Sequence, residues 1–312
     1  MTRLRPQLSL RTTDLIALGV TPKELRGPRW RAPFRGVHSP AVPALSRPDQ
    51  RILDAAVLVP PGGAIGGWAA GWLLGATELD GRGRSGHERE DILIVVPPRH
   101  HPASRDGIRF VRTPLADSDV TTVDGLVVTT AVRTGFDLAR STDLEEGLVA
   151  TDVLCRQLGL AAAGLLEYAE QHPRLEGSPV ARTVLALADP RSRSTGETRL
   201  RYIWVVLAGL PRPQCNAYVV DENGTVVAMP DLLDDSTGLA GEYDGSSHRE
   251  AAEHTEDNNR EEEMEGLGLV VVRATSIDLG PKRARTVTRL LAGQARARAV
   301  PARRWGWRPG RP

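Results

Sequence analysis

"PDLLDDSTGLAGEYDGSSH", residues 230–248, decides the fold of the second half of the chain. Apolar runs flank a polar turn at Asp235–Gly238, so the stretch reads as two strands of a hairpin. With Ser236 and Thr237 as its central pair, Asp231 lies opposite Glu242, and directly opposed residues share a sheet face. Asp244, two residues beyond Glu242, falls on that face as well, while Tyr243 points the other way into the core. A register slip of one residue would undo this arrangement. Clustered carboxylates repel one another unless they are protonated or given a cation. Asp231, Glu242 and Asp244 are therefore either strand ends meeting water or a holder of something positive.

Outward from the hairpin, "STGETRLRYIWVVLAGLP" (194–211) reads as a helix. Ser194 and Glu197 stand at the spacing of a capping box, which is the simplest role for Glu197; a further metal ligand or supporting acid is the other. A strand follows from Gln214, then an Asn223-Gly224 turn and a second strand to about Leu233. The third strand runs through Tyr243, a helix covers 249–266, and "GLVVVRATSIDL" (268–279) is the last strand. The order helix, three strands, helix, strand defines a small α/β domain.

The whole chain, at 312 residues, is long enough for two or three such domains. Its net charge of +1 hides an uneven distribution. Residues 281–312 hold ten Lys/Arg and no acid; residues 1–50 hold nine against three acids. Basic clusters are the electrostatic footprint of nucleic-acid binding, and solvated termini are the alternative. Cys155 and Cys215 stand in no metal or disulfide spacing, which fits a reducing cytoplasm. The apolar stretch 64–76 is too short and glycine-rich to span a membrane, so no membrane partner is expected.

The fold class expected is α/β, organised as a multi-domain α+β chain. Residues 1–45 form a winged-helix-like head. "TTDLIALGV" ends at Gly19, "TPKEL" carries a capping box, and "RGPRWRAPFRGVHSP" interleaves Arg29, Arg31 and Arg35 with Trp30 and Phe34. A helical cap with an arginine-rich loop is the other reading of that stretch. Residues 46–188 form an α+β middle region. It reads as a helix, a glycine-rich break at 62–67, a helix at Trp68–Leu74, strands at 90–98 and 107–113, a strand–turn–helix at 125–140, and helices over 144–187. The turn-rich stretch 188–197 marks a boundary. Residues 189–280 are the third domain and 281–312 a basic tail, which either binds phosphates and stacks bases on Trp305 and Trp307 or is a disordered end.

An oxygen-only set of Asp231, Glu242 and Asp244 suits Mg²⁺ or Mn²⁺, which keep several waters and contact substrate phosphates. Phosphodiester hydrolysis needs such a cation and an activated water. His248 either handles the proton or is a surface turn histidine.

Pro230-Asp231 followed by Glu242-Tyr243-Asp244-Gly245-Ser246-Ser247-His248 resembles the PD-(D/E)XK nuclease superfamily. The likeness is greatest to small bacterial domains related to very-short-patch-repair endonucleases. Glu197, Asp257 with Arg260, and Gly268 through Arg273 continue the pattern in order, covering about 194–280. The resemblance implies a restriction-endonuclease-like fold and a metal-dependent nuclease with Asp231 and Glu242 as ligands. It departs at Asp244, where many members carry Lys; Arg260 or His248 would have to substitute. "FRGVHSP" (34–40), "GGWAAGWLLG" (66–75) and "VVTTAVRTGFDLA" (127–139) resemble AbiEi-type antitoxins. That likeness implies a winged-helix DNA-binding head, and a cognate toxin or a second copy of the chain as protein partner.

The function expected is thus a cytoplasmic Mg²⁺-dependent endonuclease acting on DNA. Its catalytic group is Glu197, Asp231, Glu242, Asp244 and His248, and its DNA contacts are Arg29, Arg31, Arg35, Arg260 and Arg273. The alternative is an antitoxin-like transcriptional regulator whose nuclease-like domain does not cut.

Overall fold

A computed structural model describes residues 8–41, 47–84, 86–141, 143–245, 263–300 and 305–310. His248, Asp257, Arg260 and most of the helix expected at 249–266 lie outside the described residues; 263–266 is helical. The fold is mixed α/β. The chain divides into two compact units, Met1–Ala150 with Ala163–Ala186, and Thr151–Ala162 with Leu187–Pro312.

Unit 1 opens with β1 (Leu10–Arg11), α1 (Thr12–Ala17), α2 (Pro22–Leu25), β2 (Trp30–Phe34) and β3 (Val37–Pro40). The strands form an antiparallel sheet in the order β1-β3-β2. Thr21 caps α2 reciprocally: its N–H donates to Glu24 Oε2 at 2.8 Å, and Glu24 N–H donates to Thr21 Oγ1 at 3.2 Å. Next comes α3 (Pro48–Ala56), whose Asp54 accepts two bonds of 2.7 Å from Arg31. A five-stranded sheet follows, built from β4 (Ala64–Gly66), β5 (Ile92–Val96), β6 (Ile108–Arg112), β7 (Val120–Val123) and β8 (Leu126–Thr129) in the order β6-β5-β4-β8-β7. Helices α4 (Gly67–Leu74), α5 (Ala131–Ala139), α6 (Leu144–Leu158), α7 (Ala162–Gln171) and α8 (Ser178–Leu187) complete this stretch of chain. The end of α6, from Thr151, belongs to unit 2.

Two strands of that sheet differ from the sequence expectation. Residues 64–66, read as part of a glycine-rich break, are the central strand, because a fully buried strand needs no alternation. β7 pairs with β8 across Asp124-Gly125, both in the left-handed region at φ 49° and 79°, the conformation an Asp-Gly hairpin turn demands.

Unit 2 begins with α9 (Thr195–Tyr202), which widens into a π-helical turn at Ile203–Leu207. Its strands are β9 (Gln214–Cys215), β10 (Tyr218–Val220), β11 (Val226–Ala228), β12 (Leu232–Asp234), β13 (Leu239–Asp244), β14 (Val270–Thr275) and β15 (Gly306–Arg308), with α10 (Ser276–Leu279) and α11 (Arg283–Arg298) after β14. The main sheet runs β14-β13-β12-β9 and a smaller one β11-β10-β15. On one face of the main sheet, Leu200, Ile203 and Trp204 pack with Leu232, Leu239, Val272 and Leu290. Leu233 and Ala240 face the other way, onto Ala217, Val219, Met264 and Leu269.

The expected first hairpin is broken into two sheets. Asn216 takes a left-handed φ of 48°, and Pro230 has no N–H to give a ladder. The break leaves Asp231 at the head of β12, where its carbonyl accepts from Asn216 N–H at 2.9 Å. Nor are the described residues of 281–312 a tail. Thr286, Leu290, Gly293, Gln294 and Ala297 recur at helical spacing and are buried in α11, and β15 adds an edge to β10. A Cβ on Gly293 would come within 2.9 Å of both Leu239 Cδ1 and Val272 Cγ2, so glycine lets α11 lie close on the sheet.

Candidate functional site

The register of the second hairpin is the one its turn dictates. Leu232 pairs with Gly241, Leu233 with Ala240 and Asp234 with Leu239, so Asp231 falls opposite Glu242. Asp234 locks the turn by accepting from Ser236 Oγ and Thr237 Oγ1, each at 2.6 Å. Tyr243 N–H donates to Asp231 Oδ2 at 2.7 Å. The Tyr243 ring turns toward the start of α9, where a Cβ on Gly196 would lie inside it; any larger residue there would push the ring away. Parallel pairing with β14 sets Glu242 beside Arg273 and Asp244 beside Thr275. Arg273 Nε stands 3.4 Å from Glu242 Oε2.

Glu197 approaches from α9. Its N–H donates to the Ser194 cap at 3.1 Å, which is half of the expected capping box. Its carboxylate does something else: Oε2 accepts from Arg193 N–H at 2.7 Å and from Asn216 Nδ2 at 2.8 Å. Asn216 also donates through Nδ2 to Arg191 O at 2.8 Å, and both Asn216 and Glu197 are buried. One asparagine thus ties Glu197 to the backbone of Asp231. Asn216 escaped the sequence reading, although an asparagine inside a strand pattern is a signal for a left-handed break.

The electrostatics follow from this packing. Burial pushes the Asp231 carboxyl up to about 7, and the charges of Glu197 and Glu242 add to the rise; the Tyr243 N–H and the Arg193 charge oppose it without cancelling it. A half-buried acid that faces other acids binds a proton, or a cation in its place. Asp244 stands further along β13, and among the described residues no three His, Cys, Asp or Glu side chains group as a metal-binding set. The pair Asp231 and Glu242 fits the smaller demand of Mg²⁺, which is usually held by one or two carboxylates with water and phosphate filling the rest.

The arginines expected on DNA separate. Arg29 and Arg35 are exposed in the turns on either side of β2. Arg31 makes its bidentate pair with Asp54 in a site where both side chains are mostly buried. Arg273 sits on β14 beside Glu242. Both cysteines are free and buried, their thiols pushed up by burial to about 12 for Cys155 and about 11 for Cys215. Among the described residues no helix is long and apolar enough to cross a membrane. Comparison with protein-family models, with curated proteins and with solved structures finds no match to this chain.

Proposed function

We propose that unit 2 hydrolyses phosphodiester bonds of DNA with a divalent cation, Mg²⁺ or Mn²⁺, held by Asp231 and Glu242. The observation that carries this reading is Asp231 in register opposite Glu242, with the Asp231 carboxyl raised to about 7 by burial and by the charges of Glu197 and Glu242. A bound cation supplies Lewis acidity toward a phosphate oxygen and acidifies a water. The chain's residues have defined tasks. Tyr243 N–H and the Asn216 backbone bond hold Asp231 in place, and Asn216 Nδ2 fixes Glu197. Glu197 keeps Asp231 basic. Arg273 is the positive group in register with Glu242 and compensates for an acid, Asp244, at the position where the resembling nucleases carry Lys. His248 takes the proton of the attacking water.

The order α9, β12, β13, β14, with an acid on each of the first three, supports a restriction-endonuclease-like reading of unit 2. The helices and the three-stranded sheet of residues 10–40 support a winged-helix-like head, with Arg29 and Arg35 as its phosphate contacts. One observation favours a second reading. Among the described residues Asp244 joins no three-acid group, which favours a regulator that binds DNA without cutting it as the alternative.

Nicking of supercoiled plasmid with Mg²⁺ or Mn²⁺ tests the proposal. Wild type should nick, and Asp231→Ala and Glu242→Ala should bind DNA without nicking. Tight DNA binding by wild type with no cleavage of plasmid, mismatched or single-stranded DNA would establish the regulator instead.

A further inference from the structure

The structure assigns a second role to α11: its exposed basic stripe is a track for the phosphate backbone of duplex DNA leading to the carboxylate site. Lys282 at the N-cap and Arg285, Arg289 and Arg296 in the helix are spaced so that all four fall within an arc of about 60° at 3.6 residues per turn. The stripe extends about 21 Å at 1.5 Å per residue. Its side chains are exposed, apart from the half-exposed Arg289, which lies 3.8 Å from Asp278 on α10. α11 itself carries no acid. The buried face of the same helix, Thr286, Leu290, Gly293 and Ala297, is fixed on the main sheet, so the stripe is held rigidly.

Its position selects the partner. β13 and β14 run parallel and end together at Asp244 and Thr275. α10 starts at the next residue and Lys282 follows three residues after it ends. The stripe therefore begins at the end of the sheet that carries Glu242, on the face of Leu239, Val272 and Leu290, whereas Glu242 alternates onto the face of Ala240, so a backbone held on the stripe reaches the carboxylates round the end of the sheet. A duplex carries one negative charge per about 1.7 Å of axis, so a rigid row of cations matches a polyanion whose scissile phosphate lies at the carboxylates. The choice of DNA over another polyanion rests on the nuclease reading above.

The test is DNA affinity of the full-length chain without divalent cation, measured by fluorescence anisotropy on a labelled duplex between about 50 and 200 mM salt. The Arg285→Gln/Arg289→Gln/Arg296→Gln triple variant is compared with Arg89→Gln/Arg99→Gln/Arg174→Gln, which removes the same charge from exposed arginines of unit 1. The α11 variant should lower the slope of log affinity against log salt by about 2 to 3, at about 0.9 per phosphate contact. The unit 1 variant should leave it within about 1. Equal slopes for both variants would overturn the track, as would a loss of binding to phosphatidylserine vesicles without loss on DNA. Plasmid nicking in Mg²⁺ separates this from the catalytic reading. An intact wild-type nick with unchanged slopes sinks the track alone; an absent nick with a changed slope sinks the nuclease alone.

Discussion

Unit 1 buries Asp119 and Asp137 against Arg133 and Arg140, whereas unit 2 holds a half-buried Asp231 near Glu197 and Glu242. In the first region both of these acids have a guanidinium. Arg133 lies 3.2 Å from both Asp119 and Asp137, Arg140 lies 2.8 Å from Asp137, and Tyr168 donates its hydroxyl to Asp119 at 2.8 Å. Unit 2 repeats that solution elsewhere: Asp152 pairs with Arg201, and Asp189 with Arg191. Asp189 is held down at about 2 because hydrogen bonds from Arg191 and nearby positive charge outweigh its burial. Asp231, half-buried, goes the other way to about 7. Burial raises Asp137 and Asp152 as well, in spite of their arginines; what sets Asp231 apart is that the charges of Glu197 and Glu242 add to the rise, where the arginines beside Asp137, Asp152 and Asp189 oppose it. A cluster in which each acid faces a guanidinium closes a fold, and one in which an acid faces other acids is a place for a ligand.

Breaking the compensated region should have the largest effect. Arg133→Met leaves Asp119 with no guanidinium and Asp137 with only that of Arg140, and should cost about 3 to 5 kcal/mol in denaturant unfolding. A cost under about 1 kcal/mol would mean that these acids are not compensated as described. In the other region, Asp231→Asn should reduce nicking by at least about 100-fold, about 2.7 kcal/mol, measured at the Mg²⁺ concentration that saturates wild type. The same change should stabilise the chain at pH 8. Folded Asp231 loses its proton near 7 and unfolded Asp near 3.9, so the native state holds the extra proton between them. Wild-type stability from this group is present below pH 4 and lost as pH rises toward 7. Between pH 5 and 8 the loss is about 2 to 3 kcal/mol, and the asparagine variant should not show it. Asp189 has the opposite sign: its contribution is present above pH 4 and lost as pH falls toward 2. Arg273→Met should slow nicking about 10-fold, roughly 1.4 kcal/mol, with partial recovery in Arg273→Lys. Equal rates for the two would remove Arg273 from the site. The smallest effect belongs to Glu197→Gln, which should lower the Asp231 midpoint, read by carbon NMR of its carboxyl; an unmoved midpoint would show that Glu197 has no part in raising it.

The reach of the sequence tracks the range of the forces involved. Asp231 and Glu242 were legible as opposite because the Asp235–Gly238 turn and the alternation of Leu232 to Tyr243 are local. The capping box at Thr21 was legible for the same reason. The break at Asn216 and Pro230 was hidden by a run of strand-forming residues on either side, although both residues signal it. Arginine content hid α11, whose buried positions 286, 290, 293 and 297 keep helical spacing. Two contacts had no local signal at all. Arg31 reads as a phosphate contact until Asp54, on another helix, occupies it. Glu197 reads as a cap until the fold sets it beside Asp231.

The most direct measurement is calorimetric titration of Mn²⁺ into the full-length chain at pH 7, in two buffers of different ionisation enthalpy. With Asp231 near 7, binding should be saturable and release about half a proton, and both features should disappear in Asp231→Asn and weaken in Glu242→Gln. Binding of equal strength in all three proteins, or none in wild type, would contradict a cation site at these carboxylates.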